Sequence, residues 1–439
     1  MLKTFRGGVH PSYWKEDTAS KPIRQVEEPK KVIIPLSQHT GAPARALVKA
    51  GDPVRIGQKL GEAEGFISAT IHSSIAGKVA AIQPSPHPLG RNLPCVIIEN
   101  DGSNLLDENV KPRGDIEHLS AEEIKEIVKE AGIVGMGGAA FPTHVKLSPP
   151  SQSKIDTFIL NCAECEPYLT CDYRLVLERS ADIIYGMKAM MKVLSLNSGF
   201  IGIEDNKPEA VKLLNRVIKK DSGIKIAVLN TKYPQGAEKQ LIKAILSREV
   251  PSGGLPLDVG VVVNNAGTAF AVAQAVKLGI PLLKRVVTVC GGAVVEPQNL
   301  EVKLGTTFAE AIRQCGGSKD TLEKVIMGGP MMGIAQYTLE VPVIKGTSGI
   351  LLLSREELIA EKTFACIKCA RCVDSCPMNL LPVYLGIYGE RELWDRCEEL
   401  GALDCIECGC CAYVCPARIP LVQTVKSVKA ELSASRRKK

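Results

Sequence analysis

Two copies of one cysteine pattern stand thirty-nine residues apart near the C-terminus. The first reads Cys366-x2-Cys369-x2-Cys372-x3-Cys376-Pro377 and the second Cys405-x2-Cys408-x2-Cys411-x3-Cys415-Pro416. Two-residue gaps let a tight turn aim three thiolates at one cube, the fourth thiolate ligates the neighbouring cluster, and the proline turns the chain away. The pattern therefore predicts two [4Fe–4S] clusters. Cys366, Cys369, Cys372 and Cys415 would hold cluster one; Cys376, Cys405, Cys408 and Cys411 would hold cluster two. Their chemistry is one-electron transfer.

Two other cysteine chemistries compete with this reading. Zinc ribbons use four cysteines, but as two separated pairs rather than three at constant spacing followed by a fourth and a proline. A disulfide framework is disfavoured: Met1-Leu2-Lys3-Thr4-Phe5-Arg6 leads into Gly-Gly and not into an apolar signal stretch, and 439 residues need no staples. Cys410 stands between two ligand positions and is expected to be a bystander. Cys95, Cys290, Cys315 and Cys397 are expected to be small buried residues.

A second set of candidate residues lies at the ends of short apolar runs. Phe158-Ile159-Leu160 enters Asn161-Cys162-Ala163-Glu164-Cys165-Glu166-Pro167. Phe200-Ile201-Gly202-Ile203 enters Glu204-Asp205-Asn206. Ile226-Ala227-Val228-Leu229 enters Tyr233-Pro234-Gln235-Gly236-Ala237-Glu238. Gly260-Val261-Val262-Val263 enters Asn264-Asn265-Ala266-Gly267-Thr268. Strands alternating with helices predict a largely parallel, covered sheet, whose ligands bind at the carboxyl ends of the strands. The amides, carboxylates and glycines all fall there. Ahead of them, Ser120-Ala121-Glu122-Glu123 is a capping box, Ile124, Ile127, Val128 and Ala131 follow at helical spacing, and Gly132 is placed to end the helix. The stretch Gly135-Met136-Gly137-Gly138-Ala139-Ala140-Phe141 then fits G-x-G-x-x-A as letters. A helix and not a strand precedes it, so the generic dinucleotide fingerprint is rejected, while a phosphate-approaching glycine loop stays open. Cys162, Cys165 and Cys171 have the spacing of a third metal site but lack an evident fourth ligand.

The elements that position these groups can be placed coarsely. Residues Lys31 to Asn100 alternate β-rich pieces with glycine and proline turns and predict a small all-β unit. The phrases around Gly51-Asp52-Pro53-Val54 and Ile75-Ala76-Gly77-Lys78-Val79 resemble biotinyl/lipoyl-like barrel-sandwich domains. The turn at Ile67-Ser68-Ala69 lacks the carrier lysine, so docking or scaffolding is expected there. His39 and His72 are expected to be structural. Arg285 to Gly317 reads as strand, turn, strand and helix, and Gly328 to Gly333 as a tight turn. Asn379 to Asp404 predicts one or two short helices over the clusters, ending near Gly401. Length allows two to four domains, and no apolar run reaches a membrane span. The net charge of +6 is mild, and no basic stripe with interleaved aromatics points to nucleic acid. The tail Ser435-Arg436-Arg437-Lys438-Lys439 is expected to be solvated and disordered.

The stretches GMGGAAFPTHVKL, NCAECEPY, YPQGAEK and VVVNNAGTAF resemble the flavin-binding motifs of the NADH-binding flavoprotein subunit of respiratory complex I. YPQGAEK, NCAECEPYLTCDYRL and the opening FRGGVHP look most like the RnfC family, the C subunits of the Rnf ion-translocating electron transport complex, from Phe5 through Pro416. The resemblance implies a multidomain α/β and β protein. Its parts are an N-terminal extension (1–30), a barrel-sandwich hybrid domain (31–105) and a Rossmann-like FMN/NADH-binding α/β domain of the complex I flavoprotein type (115–283). A β-grasp SLBB domain (284–345), an α-helical ferredoxin-type domain (355–425) and the basic tail (426–439) complete it.

It also implies non-covalent FMN as hydride acceptor from NAD(H). Gly135, Gly137, Gly138 and Lys146 would hold the flavin phosphate, Asn161 and Glu164 would reach the flavin, and Tyr233, Gly236 and Glu238 would line the flavin and nicotinamide pocket. Asn264, Asn265 and Thr268 would close the phosphate side, and Phe141 and Glu166 would meet the NADH adenosine. Glu238 and Glu164 are the candidate catalytic carboxylates. Met136 departs from the arginine usual in the complex I flavoprotein. The implied partners are a ferredoxin-like subunit and membrane flavoprotein subunits, with peripheral association on the cytoplasmic side of the cell membrane. Cobalamin reductases share the flavin and cluster motifs, and a zinc-bearing interaction scaffold is the alternative from another class.

Overall fold

The computed structural model describes residues 2–218, 222–358 and 362–438. Its central unit is a four-stranded parallel sheet. The strands β1 (Thr157–Asn161), β2 (Gly199–Glu204), β3 (Ile224–Leu229) and β4 (Val261–Asn265) lie in the order β3-β2-β1-β4. Their near-continuous apolar sequences suit strands covered on both faces. The covering helices are α1 (Ala121–Glu130), α2 (Cys171–Val193), α3 (Pro208–Val217), α4 (Glu238–Leu246) and α5 (Ala266–Leu278). The capping box at α1 forms as expected: the Ser120 hydroxyl accepts from Glu123 N and the Glu123 carboxylate accepts from Ser120 N. Phe158, Leu160, Ile201 and Ile203 pack with α1, α2 and α5, while Ile159, Val261 and Val263 pack with α4 on the other face.

The β unit expected from residue 31 is present as two small sheets. One has the order Lys31–Pro35, Arg91–Asn100, Gly77–His87, Pro53–Val54, and the other Arg45–Ala46, Lys59–Glu62, Ile71–His72. Val32, Ile34, Leu60, Ile71, Val79, Val96 and Ile98 fill the space between them. His72 is buried and His39 half-buried: His39 Nε2 meets the Ala42 carbonyl and Ala69 N–H, and burial lowers the pKa of both rings.

The β-grasp segment builds a six-stranded mixed sheet around Lys284–Cys290, Gln298–Lys303 and Leu322–Met327, with the helix Phe308–Arg313 burying Phe308, Ala311 and Ile312. One of its two central strands is Gly349–Ser354, which lies beyond the expected boundary at 345.

The N-terminal residues are not a separate extension. Lys3 pairs with Leu229, Val9 exchanges two backbone hydrogen bonds with Tyr233, Gly8 N donates to Ser375 O, and Arg24–Gln25 forms an edge strand beside Leu300 and Glu301. This strap ties the central sheet, the cysteine domain and the β-grasp sheet together. A Cβ on Gly7 would lie 2.8 Å from Cys376 O and one on Gly8 2.6 Å from Tyr233 O, which explains the glycine pair.

The cysteine domain has short helices α6 (Pro382–Gly389) and α7 (Trp394–Glu399) and a long α8 (Leu421–Lys438). Leu385, Cys397, Ala402, Val425, Val428 and Leu432 form its core. The expected disordered tail is thus a helix as far as Lys438, with Lys439 outside the described residues. Leu421, Val422, Val425, Val428 and Leu432 recur at helical spacing and are all buried, which is what carries the helix through its charged end. No helix among the described residues is long and apolar enough to cross a membrane.

Candidate functional site

The sheet brings Asn161 and Asn265 side by side, since they are register partners at the ends of β1 and β4. Asn161 Nδ2 donates to Gly236 O at 2.8 Å, and its Oδ1 accepts from Ala163 N. Asn265 Oδ1 caps α5 by accepting from Gly267 N, and its Nδ2 donates to Asp172 at 2.5 Å. The glycine loop folds over this end. Gly135 N donates to Phe141 O at 2.7 Å, and a bridge between Val134 and Pro142 closes the loop. Thr268 pins it, accepting from Met136 N at 2.9 Å while donating to Val134 O. Lys146 Nζ pairs with Glu238 at 2.8 Å and also donates to Val263 O. Ten of the sequence-predicted residues therefore converge: Gly135, Gly137, Gly138, Lys146, Asn161, Gly236, Glu238, Asn264, Asn265 and Thr268.

The residues present fit a flavin nucleotide. A Cβ on Gly138 would meet nothing within 4 Å, whereas one on Gly137, at φ +82°, would stand 3.0 Å from Asn265 Nδ2. Asn264 is buried with neither amide atom partnered, and Gln235, fully buried, is in the same condition. Buried amides without partners cost about 1–3 kcal/mol each, so a hydrogen-bonding ligand at these strand ends answers a need of the fold. Sequence reasoning had not singled out Gln235, although it sits inside YPQGAEK.

Of the four remaining candidates, Phe141 closes the glycine loop through its carbonyl, and Glu164, Glu166 and Tyr233 have other duties. Glu164 accepts from Asp172 N at 2.7 Å and from Tyr173 N at 3.1 Å, so its carboxylate serves the N-terminus of α2. Burial raises it to about 7 against the opposing charge of Lys15, whose ammonium donates to the Glu164 and Leu169 carbonyls. Glu164 thus positions α2 and does not present a free carboxylate. Glu166, expected at an adenosine, instead accepts from Met331 N, Met332 N and the Tyr233 hydroxyl. Tyr233, expected to line the pocket, is 1% exposed and donates to Cys408 O at 2.8 Å. Both face the cysteine domain, where Met331 packs against the buried cluster of Tyr233, Cys408 and Cys410.

Cys162, Cys165 and Cys171 are buried free thiols whose pKa values burial pushes up. Cys165 accepts from Gly236 N at 3.3 Å, which makes it part of the flavin-side packing. Arg285 is a buried group with no sequence signal. It rises from the β-grasp domain under the glycine loop, donating to Thr347 O and to the Met136 sulfur.

In the cysteine domain the repeat in sequence is a repeat in backbone. Lys368 and Ala370 take left-handed φ in the first run, as Glu407 and Gly409 do in the second, and Asn379 and Arg418 do so three residues after each fourth cysteine. A single helical turn follows at the same offset, Arg371–Asp374 and Cys410–Tyr413. Cys376, Cys405, Cys408 and Cys411 line one pocket, walled by Met378, Leu380, Leu385, Val422 and Val425. Burial, then the neighbouring thiols, raises Cys411 to about 12 and Cys405 to about 11. Burial raises Cys376 as well, while the Cys410 thiol lowers Cys408. Four sulfurs converging in an apolar pocket are a donor set matched to a cationic metal centre. Leu380 N and Glu407 N already donate to Cys376 and Cys405 sulfurs. In the other group, Cys415 and Cys369 lie close enough to Cys372 to raise it further. Cys410, the bystander, occupies the repeat position of Arg371 and points its sulfur toward Tyr233 O at 3.9 Å.

The two halves of the site touch. Val9, Cys165, Tyr233, Cys408 and Cys410 form one buried cluster, and Gln240 of α4 donates to Pro377 O.

Four family models match successive segments of the chain. The family model described as RnfC Barrel sandwich hybrid domain matches residues 3–103, and Nuo51 FMN-binding domain matches 128–274. The SLBB domain model matches 286–335 and the 4Fe-4S dicluster domain 365–419, which decides the cysteine repeat for iron–sulfur over zinc. The chain is 48% identical to the C subunit of the Na(+)-translocating ferredoxin:NAD(+) oxidoreductase complex of Acetobacterium woodii, over 99% of this chain and 98% of that one. It is also 48% identical to the C subunit of the proton-translocating ferredoxin:NAD(+) oxidoreductase complex of Clostridium ljungdahlii, over 99% and 95%. The C subunit of the ion-translocating oxidoreductase complex of Rhodobacter capsulatus is 42% identical over 99% and 84%. Among solved structures, the NAD+-reducing [NiFe]-hydrogenase in the air-oxidized state aligns with a TM-score of 0.50 and 17% identity, over 72% of this chain and 64% of that one, a likeness of fold.

Proposed function

The chain belongs to the RnfC family, the C subunits of ion-translocating ferredoxin:NAD+ oxidoreductase complexes, and from that premise we propose that it is the complex's NADH-facing, iron–sulfur electron-transfer subunit. The observation that carries the reading is the shared packing of the flavin-type strand ends and the dicluster domain through Tyr233 and Cys408. FMN held by these residues would supply the exchange between a two-electron hydride donor, NADH, and the one-electron iron–sulfur clusters.

The chain's own residues do the positioning. Gly135, Gly137 and Gly138 give the phosphate an approach to backbone N–H groups, with Lys146 supplying charge. Asn264, Asn265 and Thr268 hold the loop and the ribityl side. Asn161, Gly236 and Glu238 would border the flavin ring, and Phe141 would meet the NADH adenosine. Glu164 acts through α2, and Tyr233 with Glu166 fixes the cluster domain against the pocket. Cys366, Cys369, Cys372 and Cys415 form one ligand set, and Cys376, Cys405, Cys408 and Cys411 the other. The parallel order β3-β2-β1-β4, with the Asn161 and Asn265 pair where the strand order reverses between β1 and β4, supports a Rossmann-like description.

Two relatives equally similar to this chain are named for different ions, which suits a subunit whose part ends with the electron. Ion movement then belongs to other subunits, and this chain sits peripherally on the cytoplasmic face, where NADH is. The test is anaerobic addition of NADH to protein carrying both clusters. Bleaching of the iron–sulfur absorbance is expected with FMN present and lost when FMN is stripped. Bleaching that survives complete removal of flavin overturns the proposal.

A further inference from the structure

The two cysteine runs share their backbone turns but not their surroundings. In the second run Cys408 is 7% exposed, covered by Val9, Tyr233 and Met331. In the first run every residue from 362 to 371 is exposed. Phe364 is 59% and Ile367 68% exposed, flanking Cys366 and Cys369, which alone among the eight repeat cysteines are exposed. The repeat partner of Ile367 is Ile406, which packs into the covered side.

Charge differs in the same sense. Lys368 stands where the second run has Glu407, and Glu407 is already paired with Lys429 of α8. Lys362, Lys368 and Arg371 are the only charged residues from 362 to 371, and all are cationic.

We propose that residues 362–371 are the docking surface for an acidic one-electron carrier protein whose own redox group lies near its surface. The inference rests on the iron–sulfur reading above and assigns the two ligand sets different neighbours, the covered one facing the flavin domain and the bare one facing the partner. Exposed apolar side chains beside metal ligands, with three cations between residues 362 and 371, match the small and transient interfaces of electron-transfer encounters. The cations steer an acidic partner and Phe364 and Ile367 supply the contact. The exchange moves one electron from this chain to the partner, or back, and no bond or proton changes hands.

The test uses the holoprotein with a small acidic ferredoxin carrying two [4Fe–4S] clusters as probe, titrated by calorimetry at low and high salt. Wild type should bind at low salt and weaken steeply with salt. Lys362→Glu with Arg371→Glu should weaken binding roughly ten-fold or more and flatten the salt dependence. Phe364→Ser should weaken it through faster dissociation, and it decides the matter if charge reversal costs iron. Lys49→Glu with Lys78→Glu, on the exposed barrel-sandwich face, should bind as wild type does. The proposal is overturned if wild type does not bind, if the variants at 362, 364 and 371 bind as wild type, or if the Lys49 and Lys78 variant loses as much. It is equally overturned if the variants at 362, 364 and 371 lose only the retention of phosphatidylglycerol vesicles, which would make the surface a lipid contact. Iron, sulfide and flavin counts and NADH bleaching of wild type report on the functional reading independently of all these outcomes.

Discussion

The Tyr233 hydroxyl donates to Cys408 O at 2.8 Å, joining a loop at the flavin-side strand ends to a cysteine of the pocketed set. Tyr233→Phe keeps the ring and leaves that carbonyl without its donor. The expected result is full iron content with a changed reduction midpoint and electron paramagnetic resonance signal for one cluster only. Signals identical to wild type for both would show that this bond does not influence the centre.

Gly137 and Gly138 separate two ways of damaging one loop. Gly137→Ala places a Cβ at φ +82° and 3.0 Å from the Asn265 amide, so it should lower the melting temperature by several degrees as well as flavin affinity. Gly138→Val meets open space, so it should leave stability within about 0.5 kcal/mol and reduce flavin binding alone. Differential scanning fluorimetry paired with flavin fluorescence titration separates the two.

Lys146 holds Glu238 and the Val263 carbonyl from one ammonium. Lys146→Met should weaken FMN binding by roughly ten-fold or more, since a phosphate loses its nearest charge. Equilibrium dialysis against FMN and riboflavin checks the cause: the loss should be confined to the phosphorylated ligand.

Cys410 and Cys411 are neighbours with opposite expectations. Cys411→Ser should lose about half of the iron and labile sulfide. Cys410→Ser should retain both, because its repeat counterpart is Arg371 and its sulfur faces Tyr233 O. Metal analysis of anaerobically purified protein reads the difference directly.

Lys345 is fully buried where three domains meet, donating to Thr70 O and Gly132 O at 2.7 Å each. Burial lowers its pKa from 10.5 to about 7. The unfolded chain then binds the proton more tightly, so this residue's contribution to stability is smallest below pH 7 and grows as pH rises toward 10.5. Denaturant melts should show wild type gaining stability over Lys345→Met between those limits. A constant gap across that range would contradict the assignment.

The cysteine ligands and the polar strand ends were legible because both are local: spacing fixes the first, and an apolar run stopping at Asn161 or Asn264 marks the second. The strap was not legible, since Lys3, Val9 and Arg24 each pair for only a residue or two and leave no periodic trace. The terminal helix was misjudged from its charge, although Val425, Val428 and Leu432 carried the helical signal. Lys345, Arg285 and Gln235 show a different limit. Burial depth comes from packing of distant segments, and residue type alone argues against it.

The hydrogen bond from Gly8 to Ser375 joins residues 367 positions apart, and the bridge from Lys3 to Leu229 spans more than two hundred. The entropy of closing such loops grows only slowly with their length, so the strap costs the folded state little more than a short turn would. Contacts of that separation weigh instead on the rate at which the native arrangement is reached.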